Sequence, residues 1–137
     1  MSGTLFVYGT LMRGMAAEAI LLASGPVAFR GRARMPGTLY DFGPFPGAVP
    51  EKPSGLRAVR AEDVAGEVFD LARPEETLRA LDAHEGYSPG WPASSLFVRR
   101  LVRVRLDAGG ETAAWAYLYA RSVRGARLVP SGDYRRR

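Results

Sequence analysis

The N-terminal part of the chain contains a short apolar run that a glycine interrupts. Residues 5–11 read Leu-Phe-Val-Tyr-Gly-Thr-Leu, and an Ala/Leu-rich segment follows shortly after them. This order predicts a short buried strand, a tight loop and a helix. Because glycine adopts backbone angles that other residues avoid, Gly9 is able to turn the amides of Gly9, Thr10 and Leu11 toward one point. Such amides can hold a carboxylate, a phosphate or an oxyanion, although a plain turn after the strand is the simpler interpretation.

The size and composition of the chain limit its class. Its 137 residues predict one domain, residues 1–137, and a hydrophobic content of 47% is sufficient for a buried core. The chain has no cysteine and only one histidine, His84, which excludes disulfides and disfavours a multi-histidine metal site. No apolar run reaches the roughly 20 residues of a membrane span. No basic region precedes the first apolar residues, so we expect no signal peptide and a cytoplasmic protein.

The charge of the chain is basic but dispersed. The formal net charge is +5, and Lys52 is the single lysine among 19 basic residues. The arginines are spread along the sequence except for the terminal run 135–137. A nucleic-acid-binding surface needs a basic patch with interleaved aromatic residues, which this distribution does not favour. We therefore expect no nucleic-acid partner and keep a basic binding domain as a weak alternative.

Hydrophobic periodicity and turn residues predict an α+β domain, a small mixed β-barrel of about six strands with two main helices. The opening β-α-β segment allows one parallel pair. Residues 43–55 hold four prolines and three glycines, which predicts a long irregular loop. Leu128 and Val129 are expected to pack the basic tail onto the domain. The expected strands are 5–8, 27–33, 38–40, 64–71, 97–106 and 113–120, and the expected helices are 15–23 and 74–85.

Glu85 is the first candidate for chemistry. It follows Leu78 and Leu81 on one face of the predicted helix, so its carboxylate is expected to face the core. Burial and the negative end of the helix dipole both raise the pKa of such a carboxylate. A carboxyl group that titrates near neutral pH suits general acid–base catalysis. The alternative is a helix-end glutamate that reaches solvent or pairs with an arginine.

Three other features are weaker candidates. Glu67, in the middle of a strand, is expected to point outward or to pair with an arginine. His84 projects about 100° away from Glu85 around the helix, which makes a direct pair between them improbable and places His84 at the surface or behind the site. Trp115, Tyr117 and Tyr119 share one face of a strand, which is typical of core, although their polar groups need partners.

These motifs together resemble the gamma-glutamylcyclotransferase-like proteins. Residues 6–11 (FVYGTL) resemble the family's YG(S/T)L signature, and residues 81–87 (LDAHEGY) resemble L-D-x-x-E-G-Y, with His84 where an aromatic residue is common. The match extends in order from residue 5 to residue 134, and the single-domain bacterial members and the gamma-glutamylamine cyclotransferase branch are the most similar. The other matching segments are 37–40 (GTLY), 45–49 (FPGAV), 64–69 (VAGEVF), 115–119 (WAYLY) and 131–134 (SGDY).

The resemblance implies a small mixed β-barrel and an enzyme that needs no cofactor. In the implied reaction, the α-amine of a gamma-glutamyl group attacks its own γ-carbonyl, 5-oxoproline forms and the attached amine leaves. Glu85 matches the catalytic position. The residues that match the substrate-binding loop are Tyr8, Gly9, Thr10 and Leu11, and Tyr117 is a weaker candidate for a hydrogen bond in the pocket, as is Tyr119.

Several questions stay open from the sequence. The same fold also suits a non-catalytic module that binds an anionic metabolite or a peptide end. The resemblance does not identify which gamma-glutamyl compound is the substrate, and the oligomeric state is unknown. The segments 43–55 and 88–95 are expected to build the side of the pocket that receives the leaving group.

Overall fold

The computed structural model describes residues 2–51 and 59–137. Two α-helices and two short 3₁₀ helices, Pro92–Ser94 and Tyr134–Arg136, occur in this part of the chain. The elements in chain order are β1 (Thr4–Val7), α1 (Glu18–Ala23), β2 (Val27–Met35), β3 (Gly37–Asp41), β4 (Pro46–Pro50), β5 (Val64–Leu71), α2 (Pro74–Glu85), β6 (Phe97–Leu106), β7 (Glu111–Tyr119) and β8 (Arg127–Leu128).

Five of the strands close into a barrel in the order β1-β5-β2-β6-β7. Neighbouring strands are antiparallel except β1 and β7, which are parallel where Leu5 lies opposite Trp115. The remaining strands form a three-stranded sheet in the order β4-β3-β8. This architecture confirms the predicted mixed barrel with two main helices. The parallel partner differs from expectation, because β1 pairs with β7 and not with β2, the next strand along the chain.

All six predicted strands are present, but two further strands were missed. The prediction that residues 43–55 are an irregular loop is wrong for β4, and residues 52–55 lie outside the described part of the chain. Pro46 and Pro50 stand at the two ends of β4, which is the edge strand of its sheet. Proline is compatible with an edge strand because the missing N–H is not needed for a second neighbour.

The first helix is shorter than predicted, since α1 begins at Glu18 and not at residue 15. Turns occupy the preceding residues: the amide of Met15 donates to the carbonyl of Met12, and Gly14 has a φ of 76°. The predicted packing of the tail is correct for Val129, which is buried, and wrong for Leu128, which is exposed. No helix in the described residues is long and apolar enough to cross a membrane.

Candidate active site

Helix α2 places Glu85 in the lining of a pocket. Proline at its first position and glutamates in its first turn favour its start, and Gly86 ends it in the left-handed conformation with a φ of 69°. Leu78 and Leu81 are buried on the face that packs against the barrel, and Glu85 extends this line, as the periodicity predicted. Burial of the Glu85 carboxyl group raises its pKa to about 7.

The pocket brings all the predicted site residues together. Glu85 lies on one side, the loop after β1 forms another, and aromatic side chains complete the wall. Among the described residues that line it, Glu85 is the one with a carboxyl group, and none is a Lys, Arg or His. The lining residues are Phe6, Val7, Tyr8, Gly9, Thr10, Leu11, Phe45, Pro46, Glu85, Phe97 and Tyr117.

Gly9 is required for a reason other than the predicted one. Its φ is not positive, so the expectation that unusual backbone angles explain this glycine is wrong. A Cβ atom at position 9 would instead lie 2.4 Å from Cγ of Pro46, closer than van der Waals contact allows. The absence of a side chain therefore lets the loop after β1 pack directly against β4, and both contribute to the pocket.

The amides of this loop have no acceptor within the described residues. The loop carbonyls are used, since Gly9 accepts from the amide of Met12 at 3.1 Å and Thr10 accepts from the amide of Ala17 at 2.8 Å. For the amides of Gly9, Thr10 and Leu11, residues 2–51 and 59–137 provide no hydrogen-bond partner. Three consecutive residues of the pocket lining thus have backbone amides without an acceptor in the described residues, and such amides are suited to an anionic or carbonyl group of a ligand.

The hydroxyl group of Tyr8 is occupied by the protein itself. It donates to the carbonyl of Tyr117 at 2.5 Å and accepts from the amide of Ala48 at 3.1 Å. Burial raises the pKa of Tyr8, and the nearby Glu85 carboxylate acts in the same direction, so the phenol stays protonated. Tyr8, which directly follows β1, therefore connects to β4 and β7 through its hydroxyl group and also lines the pocket.

Tyr117 joins the pocket to a buried ion pair that sequence reasoning missed. Its hydroxyl donates to Oδ1 of Asp82 at 2.7 Å. Arg99 binds the same carboxylate through Nε at 2.8 Å and Nη2 at 3.2 Å. Burial raises the pKa of Tyr117, and the hydrogen bond to Asp82 adds to this effect. The position of Asp82 beside Leu78 and Leu81 on the helix was the available signal for a buried carboxylate.

The apolar wall of the pocket comes from aromatic rings that contact one another. Phe45 and Phe97 meet edge to face with ring centroids 5.6 Å apart, and Tyr119 packs against Phe97 at the same distance. Segment 43–55 contributes Phe45 and Pro46 to the lining of this pocket, and its role on the side of the leaving group stays a prediction. Segment 88–95 does not line this pocket; Ser88 and Pro89 line a separate groove beside α2.

The sequence predicted the position of His84 correctly and that of Glu67 only in part. His84 is exposed, as expected. Glu67 does pair with arginine, since Nε of Arg13 lies 3.3 Å and Nη2 of Arg135 lies 3.4 Å from its Oε2, but its side chain is only 1% exposed and does not point outward. Neither residue lines the pocket. Within the described residues, no group of three His, Asp or Glu side chains is placed to hold a metal ion.

Comparisons with known proteins show that similar sequences and similar folds exist. A curated protein of Methanocaldococcus jannaschii named "Putative gamma-glutamylcyclotransferase MJ1514" is 28% identical over 130 residues, 95% of this chain and 93% of that protein. The crystal structure of an AIG2-like protein from Mus musculus has a TM-score of 0.71 and 26% identity, and the match covers 94% of this chain and 86% of that one.

A second solved structure has a similar fold over nearly the whole chain. The solution structure of the protein ytfP from Escherichia coli has a TM-score of 0.60 and 28% identity, with 96% of this chain and 95% of that chain covered. The model of the family described as "Gamma-glutamyl cyclotransferase, AIG2-like" matches residues 5–136, nearly the whole sequence. The chain therefore belongs to the gamma-glutamyl cyclotransferase, AIG2-like family.

Proposed function

We propose that this protein is an enzyme that cyclises a gamma-glutamyl group to 5-oxoproline and releases the attached amine or amino acid. One observation carries the proposal. Glu85, whose pKa is raised to about 7, shares a pocket with residues 9–11, the amide loop, whose backbone amides have no acceptor within the described residues. Family membership and the names of the relatives support the same reaction.

In the proposed reaction, Glu85 moves protons from the nucleophile to the leaving group. Its carboxylate accepts a proton from the substrate's α-ammonium group, and the freed amine attacks the γ-carbonyl carbon to form the lactam nitrogen–carbon bond. The bond from that carbon to the attached nitrogen then breaks as the protonated Glu85 donates its proton to the leaving amine. The ring nitrogen still carries a second proton, which Glu85 accepts and passes to the same amine, so that the amine leaves as an ammonium ion and Glu85 returns to the carboxylate form. Because nucleophile and electrophile belong to one molecule, the pocket only has to orient them. The proposed chemistry requires no metal or organic cofactor.

The loop after β1 is proposed to orient the substrate. The amides of Gly9, Thr10 and Leu11 are suited to bind the α-carboxylate of the gamma-glutamyl group, because they lie in the wall that also contains Glu85. Tyr8 and Tyr117 would form the surface against which the glutamyl chain packs. The pKa of Glu85 fits this role, since a group that exchanges protons in both directions works best when its pKa is near the working pH.

Product analysis with matched variants tests the proposal. The wild-type protein is incubated with glutathione, gamma-glutamyl dipeptides and gamma-glutamylamines, and 5-oxoproline is measured by mass spectrometry. Glu85→Gln is expected to abolish product, while Glu76→Gln, which removes an exposed carboxylate from the same helix, is expected to retain wild-type activity. Wild-type activity in Glu85→Gln would refute the role of Glu85. Binding of these compounds without turnover would instead identify a non-catalytic binding module.

A further inference from the structure

Glu67 has an unusual position relative to the amide loop. It lies in β5 directly opposite Val7, the last residue of β1, in the antiparallel pair that the two strands form. Residues 8–12, which include the amide loop, follow Val7 at once. The backbone of β5 at Glu67 therefore marks the point where the chain leaves the barrel and enters this loop.

The side chain of Glu67 binds the other end of the same loop. Its Oε1 accepts a hydrogen bond from the backbone amide of Arg13 at 2.8 Å, and its Oε2 lies 3.3 Å from Nε of Arg13. One carboxylate thus holds both the backbone and the side chain of Arg13. The Arg13 guanidinium also lies over the ring of Phe29, 3.4 Å from the ring centroid, which fixes the side chain from its other face.

A second arginine completes this cluster from the far end of the chain. Nη2 of Arg135 lies 3.4 Å from Oε2 of Glu67 and also donates a hydrogen bond to the carbonyl of Arg13. The side chain of Glu67 is almost fully buried, so its negative charge depends on these two guanidinium groups and on the Arg13 amide. Charge-assisted hydrogen bonds of this kind are about twice as strong as neutral ones.

We propose that Glu67 is a positioning residue that fixes both ends of the amide loop, through its strand pairing with Val7 and its carboxylate contacts with Arg13. Glu67 does not line the pocket, so it acts on a substrate only through the loop. The expected effect of Glu67 on KM rests on the proposed function, because the amides of this loop are the groups proposed to bind the substrate's α-carboxylate. The structural consequence, an ordered loop, is independent of any reaction.

Kinetics on three variants test the inference. Glu67→Gln keeps the shape and one acceptor but loses the charge, and Arg135→Met removes only the contact from the tail. Asp70→Asn is the matched control, because Asp70 lies on the same strand with its side chain 56% exposed. We expect Glu67→Gln to raise KM about tenfold with kcat within about twofold, because the loop binds ground state and transition state alike. Arg135→Met is expected to raise KM about threefold, and Asp70→Asn to leave both constants unchanged.

Hydrogen exchange gives a measurement that does not need activity. In Glu67→Gln, the loop amides that have a protein acceptor, those of Met12, Arg13 and Ala17, are expected to exchange about tenfold faster than in the wild type, whereas amides elsewhere in the barrel keep their rates. If the loop amides exchange at the wild-type rate, or if KM is unchanged in an active Glu67→Gln, the inference is overturned. If the wild type forms no 5-oxoproline from any substrate, the proposed function fails, and the exchange rates alone decide whether Glu67 holds the loop.

Discussion

At the scale of single residues, the main feature of the candidate site is the carboxyl group of Glu85, which is largely removed from solvent. The pKa of Glu85 is raised from 4.5 to about 7 by burial, so ionising it in the folded protein costs free energy that the unfolded chain does not incur. Groups placed for chemistry commonly lower stability in this way. The raised pKa that suits Glu85 for proton transfer should therefore be measurable without a substrate, through its effect on the stability of the protein.

Glu85→Gln is predicted to stabilise the protein above neutral pH. Below pH 4.5 the carboxyl group is protonated in both states and contributes no difference. Between pH 4.5 and about 7 the unfolded state ionises first, so wild-type stability falls as pH rises, and the full cost remains above pH 7. Since one pKa unit corresponds to about 1.4 kcal/mol, the rise from 4.5 to about 7 means that Gln should raise the free energy of unfolding by on the order of 3 kcal/mol at pH 8. Urea denaturation at pH 4 and pH 8 measures this, and a pH-independent difference would contradict the shifted pKa.

Gly9→Ala is predicted to disturb the loop that packs on Pro46. The added Cβ would lie 2.4 Å from Cγ of a rigid proline ring, so loop or strand must move. We expect a loss of about 1–3 kcal/mol in stability, typical of overpacking, and a larger relative loss in substrate binding. Gly90→Ala is the control, because a Cβ there meets no atom within 4 Å. Equal melting temperatures and equal KM values for the two variants would exclude a requirement for close packing at Gly9.

At the scale of elements, the placement of α2 decides where Glu85 lies. Leu78 and Leu81 fix the buried face of the helix, and Asp82 ties it to Arg99 of β6 and Tyr117 of β7. Asp82 is three residues before Glu85, so this ion pair fixes the rotation of the helix turn that carries the carboxyl group.

Tyr117→Phe tests this coupling between the barrel and the helix. The variant removes a hydroxyl that donates to Asp82 at 2.7 Å, while the two contacts from Arg99 remain. Stability is expected to fall by about 1–2 kcal/mol, as for a lost hydrogen bond to a charged group. Activity should fall far less than in Glu85→Gln, because Tyr117 donates no proton in the proposed reaction. If Tyr117→Phe were as inactive as Glu85→Gln at unchanged stability, the phenol would have a direct chemical role.

The elements that were predictable from sequence carry a strong local pattern. Strand β5 and helix α2 agree with their predicted limits. Strand β5 is a short, mostly apolar segment, and α2 has helical periodicity with a proline at its start and a glycine after its end. Strand β4 was not predicted, because prolines disfavour a strand in the interior of a sheet. Its position at a sheet edge, where proline is tolerated, is known only from the structure. Likewise, the parallel pairing of β1 with β7 joins residues more than one hundred positions apart, which no local pattern reveals.

At the scale of the whole molecule, the tail of the chain contacts the barrel near the loop region. The amide of Ala65 donates to the carbonyl of Gly132 at 2.8 Å, and Asp133 accepts from Arg32 at 3.3 Å. Tyr134 is buried, and Arg135 reaches Glu67. Long-range contacts of this kind could not be derived from the sequence, because the basic, turn-rich tail carries no periodicity that indicates a docking surface.

Tyr134→Ala is predicted to lower stability by about 3 kcal/mol, because removing a large buried side chain leaves a cavity. The exposed fraction of Tyr134 is 3%, whereas that of Leu128, in the same tail, is 51%. Leu128→Ala is therefore the control, and it is expected to change stability by less than about 0.5 kcal/mol. Thermal unfolding of both variants measures the difference. Similar losses for the two would show that the tail is not held through its buried tyrosine.

The central claim is that Glu85 transfers the protons in the proposed reaction, and the pH dependence of 5-oxoproline formation tests it most directly. The rate is measured from pH 5 to pH 9 for the wild type and Glu85→Gln on the best gamma-glutamyl substrate. For the wild type, kcat/KM is expected to rise with pH through a midpoint near 7, the pKa of Glu85, because only the carboxylate accepts the substrate's proton. Glu85→Gln is expected to stay near the uncatalysed rate throughout. No product from the wild type at any pH, or a variant with the same profile as the wild type, would contradict the claim.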